Sequence, residues 1–148
     1  MTTTTVPAIQ RLDHWTLVTT DVDRTRQFYA DVLGAELPKR TAGPASVNLA
    51  GTVIDFFPAS SDNPPSPGGW GQHHAYIINL HDYDGWVEHF GRKGVAYHRT
   101  THGLHRMSIY VDDPDGYHIE LTVVFDDPDT GRREIEKRGL LEEARRQA

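Results

Sequence analysis

Residues 9–34 read IQRLDHWTLVTTDVDRTRQFYADVLG, a strand-like stretch followed by a helix-like one. Asp21 stands where a helix N-cap is expected, and Gly34 stands where a helix ends in a left-handed residue. An apolar stripe at helical spacing lies between them: Phe28, Tyr29, Val32 and Leu33. The stretch therefore predicts a β-strand over Ile9–Thr20 and an α-helix after it.

The same pattern occurs a second time, with a strand-like run over His73–Leu80 and a cap at Asp82 or Asp84. Three landmarks shift by a nearly constant interval: His14 to His73 by 59 residues, Asp21 to Asp82 by 61, and Gly34 to Gly94 by 60. A constant shift of this kind is typical of a duplicated unit.

Strand-like runs follow each helix. They are Ser46–Ala50 and Thr52–Phe57 in the first unit, and Val95–Arg99, Met107–Asp112 and Tyr117–Phe125 in the second. We therefore expect an α+β fold in which two βαβββ modules form a cup-shaped sheet within a single domain, residues 1–148. The expected parts are module one at about 8–59, a Pro- and Gly-rich linker at 58–72, module two at about 72–126, and a helical tail at 127–148.

The tail is expected to form one charged helix from Glu134 to Gln147, interrupted by Gly139 and packed on the domain or on a partner subunit. Its apolar residues, Ile135, Leu140, Leu141 and Ala144, share one face.

Composition excludes several classes of protein. The 148 residues carry a net charge of −6 with no basic block, which argues against a nucleic-acid partner. The sequence has no apolar run of membrane-spanning length and no signal-like start, so we expect a cytoplasmic protein with no membrane partner. It contains nine histidines and no cysteine, so any metal site must use imidazole and carboxylate ligands.

Strand alternation selects the candidate ligands. His14 shares a face with Thr16, His73 with Ala75, and Glu120 with His118. If the sheets curve into a cup, His14, His73 and Glu120 can converge on its polar side. Two imidazoles and one carboxylate form the facial triad of non-haem Fe(II), which leaves positions open for substrate and oxygen. His74 lies on the opposite face, which suits helix packing better, but it remains an alternative ligand.

Three segments carry a family resemblance: His14-Trp-Thr-Leu-Val18 with Phe28-Tyr29 and Leu33-Gly34, His73-His-Ala-Tyr76, and Asp113-Pro-Asp-Gly-Tyr-His-Ile-Glu120. Together they resemble the vicinal oxygen chelate superfamily, which includes glyoxalase I, fosfomycin-resistance enzymes, bleomycin-resistance proteins and extradiol dioxygenases. The resemblance covers about residues 9–125. It implies paired βαβββ modules that form a cup around a divalent metal, with ligands at His14, His73 and Glu120. His73 is preferred over His74 because family ligands are commonly followed by x-Ala-aromatic, as His73 is by His-Ala-Tyr76. Small members are commonly dimers, so we expect a homodimer.

The segment Thr100–Glu120 looks like the extradiol ring-cleavage motif, in which a His precedes a hydrophobic-Tyr pair, a Pro-x-Gly turn and the metal-binding Glu. This resemblance implies a small Fe(II)-dependent dioxygenase that opens a small catechol by reaction with O2. L-DOPA is the best single candidate for that catechol. His102 and Tyr110 would be the catalytic groups beside the substrate. The other expected substrate contacts are Arg106, His118 and Asp55, and Arg99 could also meet a substrate carboxylate.

One departure from the extradiol pattern keeps other functions open. Larger extradiol dioxygenases carry an acid/base His ahead of the second module, whereas no His occurs between His14 and His73 and Asp55 lies in that region. The acid/base group could be His102, His105, His118 or Asp55. Asp55 could instead be a fourth ligand, as in a glyoxalase-I-like isomerase that uses Mn, Ni or Zn. The third interpretation is a metal-free binding protein of the bleomycin-resistance kind.

Overall fold

The computed structural model describes residues 8–38 and 43–146 and contains a three-stranded and a four-stranded sheet. The first unit consists of β1 (His14–Thr19), α1 (Val22–Leu33), β2 (Ala45–Leu49) and β3 (Thr52–Pro58). Its strands lie in the order β1-β3-β2, with β1 parallel and β2 antiparallel to β3. Glu36 forms a single bridge with Asn48, where the repeat predicts one more strand.

The second unit repeats this connectivity with a full set of strands. It consists of β4 (His73–Ile77), α2 (Tyr83–Lys93), β5 (Tyr97–His102), β6 (Arg106–Asp112) and β7 (His118–Val124). The order is β4-β7-β6-β5, with β4 parallel to β7 and the other pairs antiparallel. Both units therefore place their first strand beside their last one, which confirms the predicted α+β fold built from a duplicated unit.

The predicted helix ends of the first unit are confirmed. The Asp21 side chain accepts a hydrogen bond from the backbone N–H of Arg24 at 3.0 Å, and Gly34 ends α1 at φ 71°. In the second unit Gly94 ends α2 at φ 66°, while Asp82 makes no capping bond with its side chain.

β1 begins at His14 rather than at the predicted Ile9. The partner strand β3 pairs His14 with Val53 and begins one residue earlier, at Thr52. Ile9 and Leu12 are consequently exposed, because the described sheet offers no strand beside them.

The tail forms two helices rather than one: α3 (Pro128–Lys137) and α4 (Leu141–Arg146). α3 begins six residues before the predicted start, because Asp127 caps it and Pro128 suits a first helical turn. Gly139 separates the helices at φ 72°, and the predicted last residue, Gln147, lies outside the described residues. Three apolar tail residues are buried on the domain: Ile135, Leu140 and Ala144.

The turn between β6 and β7 joins the two units. Asp115 accepts hydrogen bonds from the Thr19 and Thr20 hydroxyls at the end of β1. The Tyr117 hydroxyl donates to the Val18 carbonyl at 2.9 Å, and the Tyr29 hydroxyl contacts Asp113 at 3.4 Å. A single hydrophobic cluster contains buried residues from both units and from the tail. No helix among the described residues is long and apolar enough to cross a membrane.

Candidate metal and substrate site

The second sheet brings His73 and Glu120 together. β4 and β7 pair Ala75 with Glu120, so His73 and Glu120 lie diagonally across the same face. The His73 Nε2 and Glu120 Oε2 atoms are 2.9 Å apart, and the Glu120 side chain is 4% exposed. Two ligands at right angles around an ion, each about 2.1 Å from it, would be separated by roughly 3 Å. The spacing of this pair fits a shared cation.

The linker fixes the tautomer of His73. His73 Nδ1 lies 3.2 Å from the Trp70 carbonyl oxygen, which can only accept a hydrogen bond, so Nδ1 carries the proton. The Nε2 of a neutral ring then presents a lone pair to the Glu120 carboxylate. Two acceptors at 2.9 Å require a proton or a metal cation between them. Metal-binding histidines typically have such a carbonyl partner on their other ring nitrogen.

Glu120 is held by the buried Ser108 hydroxyl, which in turn contacts the hydroxyl of Thr122. The Ser108 Oγ donates to Glu120 Oε1 at 2.6 Å and lies 3.0 Å from the Thr122 Oγ1. Ser108, Glu120 and Thr122 are all buried residues. One carboxylate oxygen is therefore occupied by Ser108, and the other, Oε2, faces His73.

His102 and Tyr110 lie beside the same carboxylate. The Tyr110 hydroxyl is 3.3 Å from His102 Nε2, and that nitrogen is 3.7 Å from Glu120 Oε1. Burial and the negative charge of Glu120 raise the pKa of Tyr110 to about 12. Tyr110 thus remains a protonated hydrogen-bond donor at neutral pH.

His118 forms the rim of the site with Asp112 and Trp70. Its Nδ1 lies 2.6 Å from Asp112 Oδ1, and its ring stacks on the Trp70 indole at 4.9 Å with an interplanar angle of 5°. A cavity of about 280 Å³ lies beside His73 and His118 and reaches Thr16 on β1.

His14 does not join this cluster within the chain. Its ring contacts Asp13 at 3.0 Å, and its side chain is 50% exposed. No group of three or more His, Asp or Glu residues in the described part of the chain is arranged to hold a metal ion. The three-ligand set of His14, His73 and Glu120 stays a prediction.

His74 lies away from Glu120. It stacks on Trp15 at 3.6 Å, on the face of β4 opposite to His73, and burial lowers its pKa. This geometry favours His73 over His74 as the candidate ligand.

The other predicted substrate contacts are dispersed. Asp55 belongs to the first sheet, opposite Thr16 and Ser46, and its buried Oδ1 has no hydrogen-bond partner in the part of the chain that the structure describes. Arg106 is exposed at the start of β6, paired with His102. Arg99 lies on the opposite face of β5 from Thr100. Burial raises the pKa of Tyr83 to about 12, and the charge of Arg99 opposes that rise.

Sequence reasoning missed three parts of the site: the Trp70 carbonyl, the Ser108 hydroxyl and the Asp112 carboxylate. Alternation could have found Ser108, because it shares a face of β6 with Tyr110 and faces Glu120 on the next strand. The contact between Trp70 and His73 depends on the path of the linker, for which the sequence contains no periodic signal.

The fold is that of one protein family. The model of the Glyoxalase/Bleomycin resistance protein/Dioxygenase superfamily matches residues 11–121, three quarters of the chain, and the protein belongs to this superfamily.

Individual relatives agree with this assignment. A virulence protein of Salmonella typhimurium is 31% identical over 126 residues, covering 77% of this chain and 84% of that protein. The fosfomycin resistance protein FosX of Listeria monocytogenes has a TM-score of 0.68 at 22% identity, covering 82% of this chain and 98% of that one. An integron cassette protein from V. cholerae has a TM-score of 0.62 at 23% identity, covering 80% of this chain and 98% of that one. At these identities the two solved structures establish similarity of fold.

Proposed function

We propose that this protein is a metal-dependent enzyme of the superfamily, and specifically an Fe(II)-dependent extradiol dioxygenase that opens a small catechol with O2. The observation that carries the proposal is the pair of acceptors, His73 Nε2 and Glu120 Oε2, held 2.9 Å apart beside the His102–Tyr110 pair. A neutral imidazole and a carboxylate form a suitable donor set for a divalent ion of this kind. The FosX structure contains Mn(II) and dihydroxypropylphosphonic acid, which supports a divalent ion in this fold.

We further propose that a second copy of the chain completes the site. His14 is half-exposed and contacts Asp13, and residues 8–38 and 43–146 supply no third ligand for His73 and Glu120. Apolar residues on the sheets are also exposed, with Ile77 at 78%, Phe57 at 42% and Val124 at 41%. A symmetric dimer would cover such residues and place His14 of the partner subunit against His73 and Glu120.

The chain's own groups would handle the substrate and its protons. Fe(II) held by His73, Glu120 and His14 of the partner subunit would supply redox chemistry with O2 and lower the pKa of the catechol hydroxyl that it contacts. The Tyr110 hydroxyl would donate a hydrogen bond to a substrate oxygen. His102 Nε2, which is half-exposed and 3.3 Å from that hydroxyl, would accept and return the proton.

The test is oxygen uptake by anaerobically Fe(II)-loaded protein mixed with a panel of catechols that includes L-DOPA. We expect one O2 consumed per catechol and a yellow semialdehyde product. Glu120→Gln should lose both iron and activity. His81→Ala should keep both, because His81 is exposed and its ring pairs with Asp82, which is not part of the candidate site. An iron-replete wild-type protein that consumes no O2 with any catechol would contradict the dioxygenase.

A second candidate function rests on Asp55. Thr16, two residues after His14, pairs with Asp55, just as Ala75, two residues after His73, pairs with Glu120. Asp55 is therefore the counterpart of Glu120 in the repeat, and its buried Oδ1 lacks a hydrogen-bond partner among the described residues. Asp55 as a fourth ligand, beside the two histidines and Glu120, would suit a glyoxalase-like isomerase containing Mn, Ni or Zn. Turnover of a hemithioacetal by the Ni- or Zn-loaded protein, abolished in Asp55→Asn and accompanied by no O2 uptake, would support this function instead.

A further inference from the structure

A second cavity, of about 200 Å³, lies next to the candidate metal pair. It is lined by Trp70, His98, Tyr110 and Asp112, together with Ala96, Tyr97 and Val111. Tyr110 belongs to both places, because its hydroxyl group lies 3.3 Å from His102 Nε2, its ring lies 5.5 Å from that of His73, and it borders the cavity. A group that extended from a substrate on the metal pair past Tyr110 would enter it.

Trp70 is held in place and yet remains exposed. One face of its indole stacks on His118, and its ring meets Tyr110 edge-on at 5.6 Å and His98 at 6.1 Å. The side chain nevertheless remains 61% exposed. An immobilised, exposed indole offers apolar surface that a ligand can bury with little loss of side-chain entropy.

The lining indicates the chemistry of the occupant. Aromatic rings prefer stacked or edge-to-face neighbours, and Trp70, His98 and Tyr110 present such surfaces around one space. Benzene is accommodated by an apolar cavity of about 150 Å³, so a single substituted ring fits here.

We propose that Trp70 is a specificity-determining residue, which with His98 and Tyr110 forms a subsite for an aromatic ring of the substrate. The proposal deepens the proposed function and rests on it, since it states which part of a metal-chelating substrate is recognised beyond its two oxygens. Trp70 contributes to the site in two separable ways. Its carbonyl group positions His73, and its side chain contacts the substrate ring.

The test compares two ligands with the same chelating group, benzohydroxamate and acetohydroxamate, by calorimetry on metal-loaded protein. We expect the wild-type protein to bind benzohydroxamate at least about tenfold more tightly than acetohydroxamate. Trp70→Ala should bring the ratio close to one while leaving the affinities for the metal and for acetohydroxamate unchanged, because the backbone carbonyl remains. Trp70→Phe should retain most of the preference. Trp86→Phe is the matched control, because Trp86 lies on α2, outside the cavity.

A second measurement separates this proposal from the proposed function. Benzamide carries the ring without the chelating group, and we expect it to shift the NMR signal of the Trp70 indole N–H in metal-free protein. If neither hydroxamate binds but benzamide shifts Trp70, the metal chemistry fails and the aromatic subsite stands. Equal affinities for the two hydroxamates in the wild-type protein, or no benzamide effect at Trp70, would overturn the subsite.

Discussion

Ser108 determines how the Glu120 carboxylate is presented. Its hydroxyl donates to Oε1 at 2.6 Å and so leaves Oε2 to face His73. Removing such a supporting hydrogen bond typically weakens metal binding by 10- to 100-fold. We therefore expect Ser108→Ala to weaken the affinity for Mn(II) or Fe(II) by about that factor in an equilibrium titration.

Thr101→Val is the matched control for Ser108→Ala. Thr101 is fully buried on the neighbouring strand, and its hydroxyl has no hydrogen-bond partner among the described residues. Its removal should not weaken metal binding. Equal losses of affinity in the two variants would point to a general loosening of the sheet instead of a role in orienting Glu120.

Asp113 makes stability depend on pH. Burial raises its pKa to about 6, although backbone hydrogen bonds from Tyr117 and Asp115 oppose the rise. The folded protein thus holds this proton more tightly than the unfolded chain does, so wild-type stability falls as pH rises from about 4 through 6. In urea unfolding, we expect Asp113→Asn to gain on the order of 2 kcal/mol relative to wild type between pH 4 and pH 8.

Asp115 in the same turn should show the opposite trend. Burial opposes its ionisation, but hydrogen bonds from Thr19 and Thr20 prevail and lower its pKa. Its carboxylate stabilises the fold above the unfolded-state pKa, and that stabilisation is lost as pH falls through the lower, folded-state value. Asp115→Asn should therefore be more damaging at pH 8 than at pH 4.

A pH-independent difference in stability between wild type and Asp113→Asn would mean that Asp113 does not titrate in this range.

At the scale of elements, α3 approaches the β5–β6 loop so closely that only glycine fits at position 131. A Cβ there would clash with the Leu104 carbonyl oxygen and lie 3.3 Å from the Phe125 ring. We expect Gly131→Ala to lower the free energy of unfolding by about 1–3 kcal/mol, as for other overpacked sites. Gly91→Ala on the exposed part of α2 meets nothing within 4 Å and should stabilise by up to about 1 kcal/mol. Equal melting temperatures for the two variants would contradict the close approach.

Local chemistry made most of these elements predictable. Asp21, Gly34 and Gly94 are short-range signals, because capping depends on the few residues around each helix end. The start of the tail helix was mispredicted because the prediction followed the apolar residues of the tail. The helix begins earlier, where Asp127 caps it and Pro128 occupies its first turn. The extent of β1 depends on where β3 begins, which is a long-range fact that residues 9–13 do not encode.

At the scale of the whole molecule, the proposed site shared between two subunits can be tested by complementation between two inactive variants. Two variants, His14→Ala and Glu120→Gln, are each expected to lack a complete site. In a mixed dimer of the proposed kind, His14 of the second variant would meet His73 and Glu120 of the first, and one of the two sites would be intact. After random subunit exchange, we expect about a quarter of the wild-type metal sites to return. If binding never returns although exchange is complete, His14 and Glu120 act within one chain.

The candidate site was only partly readable from the sequence, for a related reason. Alternation and the repeat bring His73 and Glu120 to one face, because strand pairing is regular over short distances. Whether His14 joins them depends on the arrangement of whole units or whole chains, which strand patterns do not specify.

The hydrogen bond from His73 to the linker has a consequence for how this protein can evolve. Since the acceptor is a main-chain carbonyl, a substitution at position 70 replaces the side chain without removing that bond. Mutational drift, or a saturation library at this single codon, can therefore sample new substrate preferences while the imidazole keeps its tautomer. In the proposed subsite, a change of side chain at position 70 alters which substrate is preferred and leaves the orientation of the His73 ring unchanged.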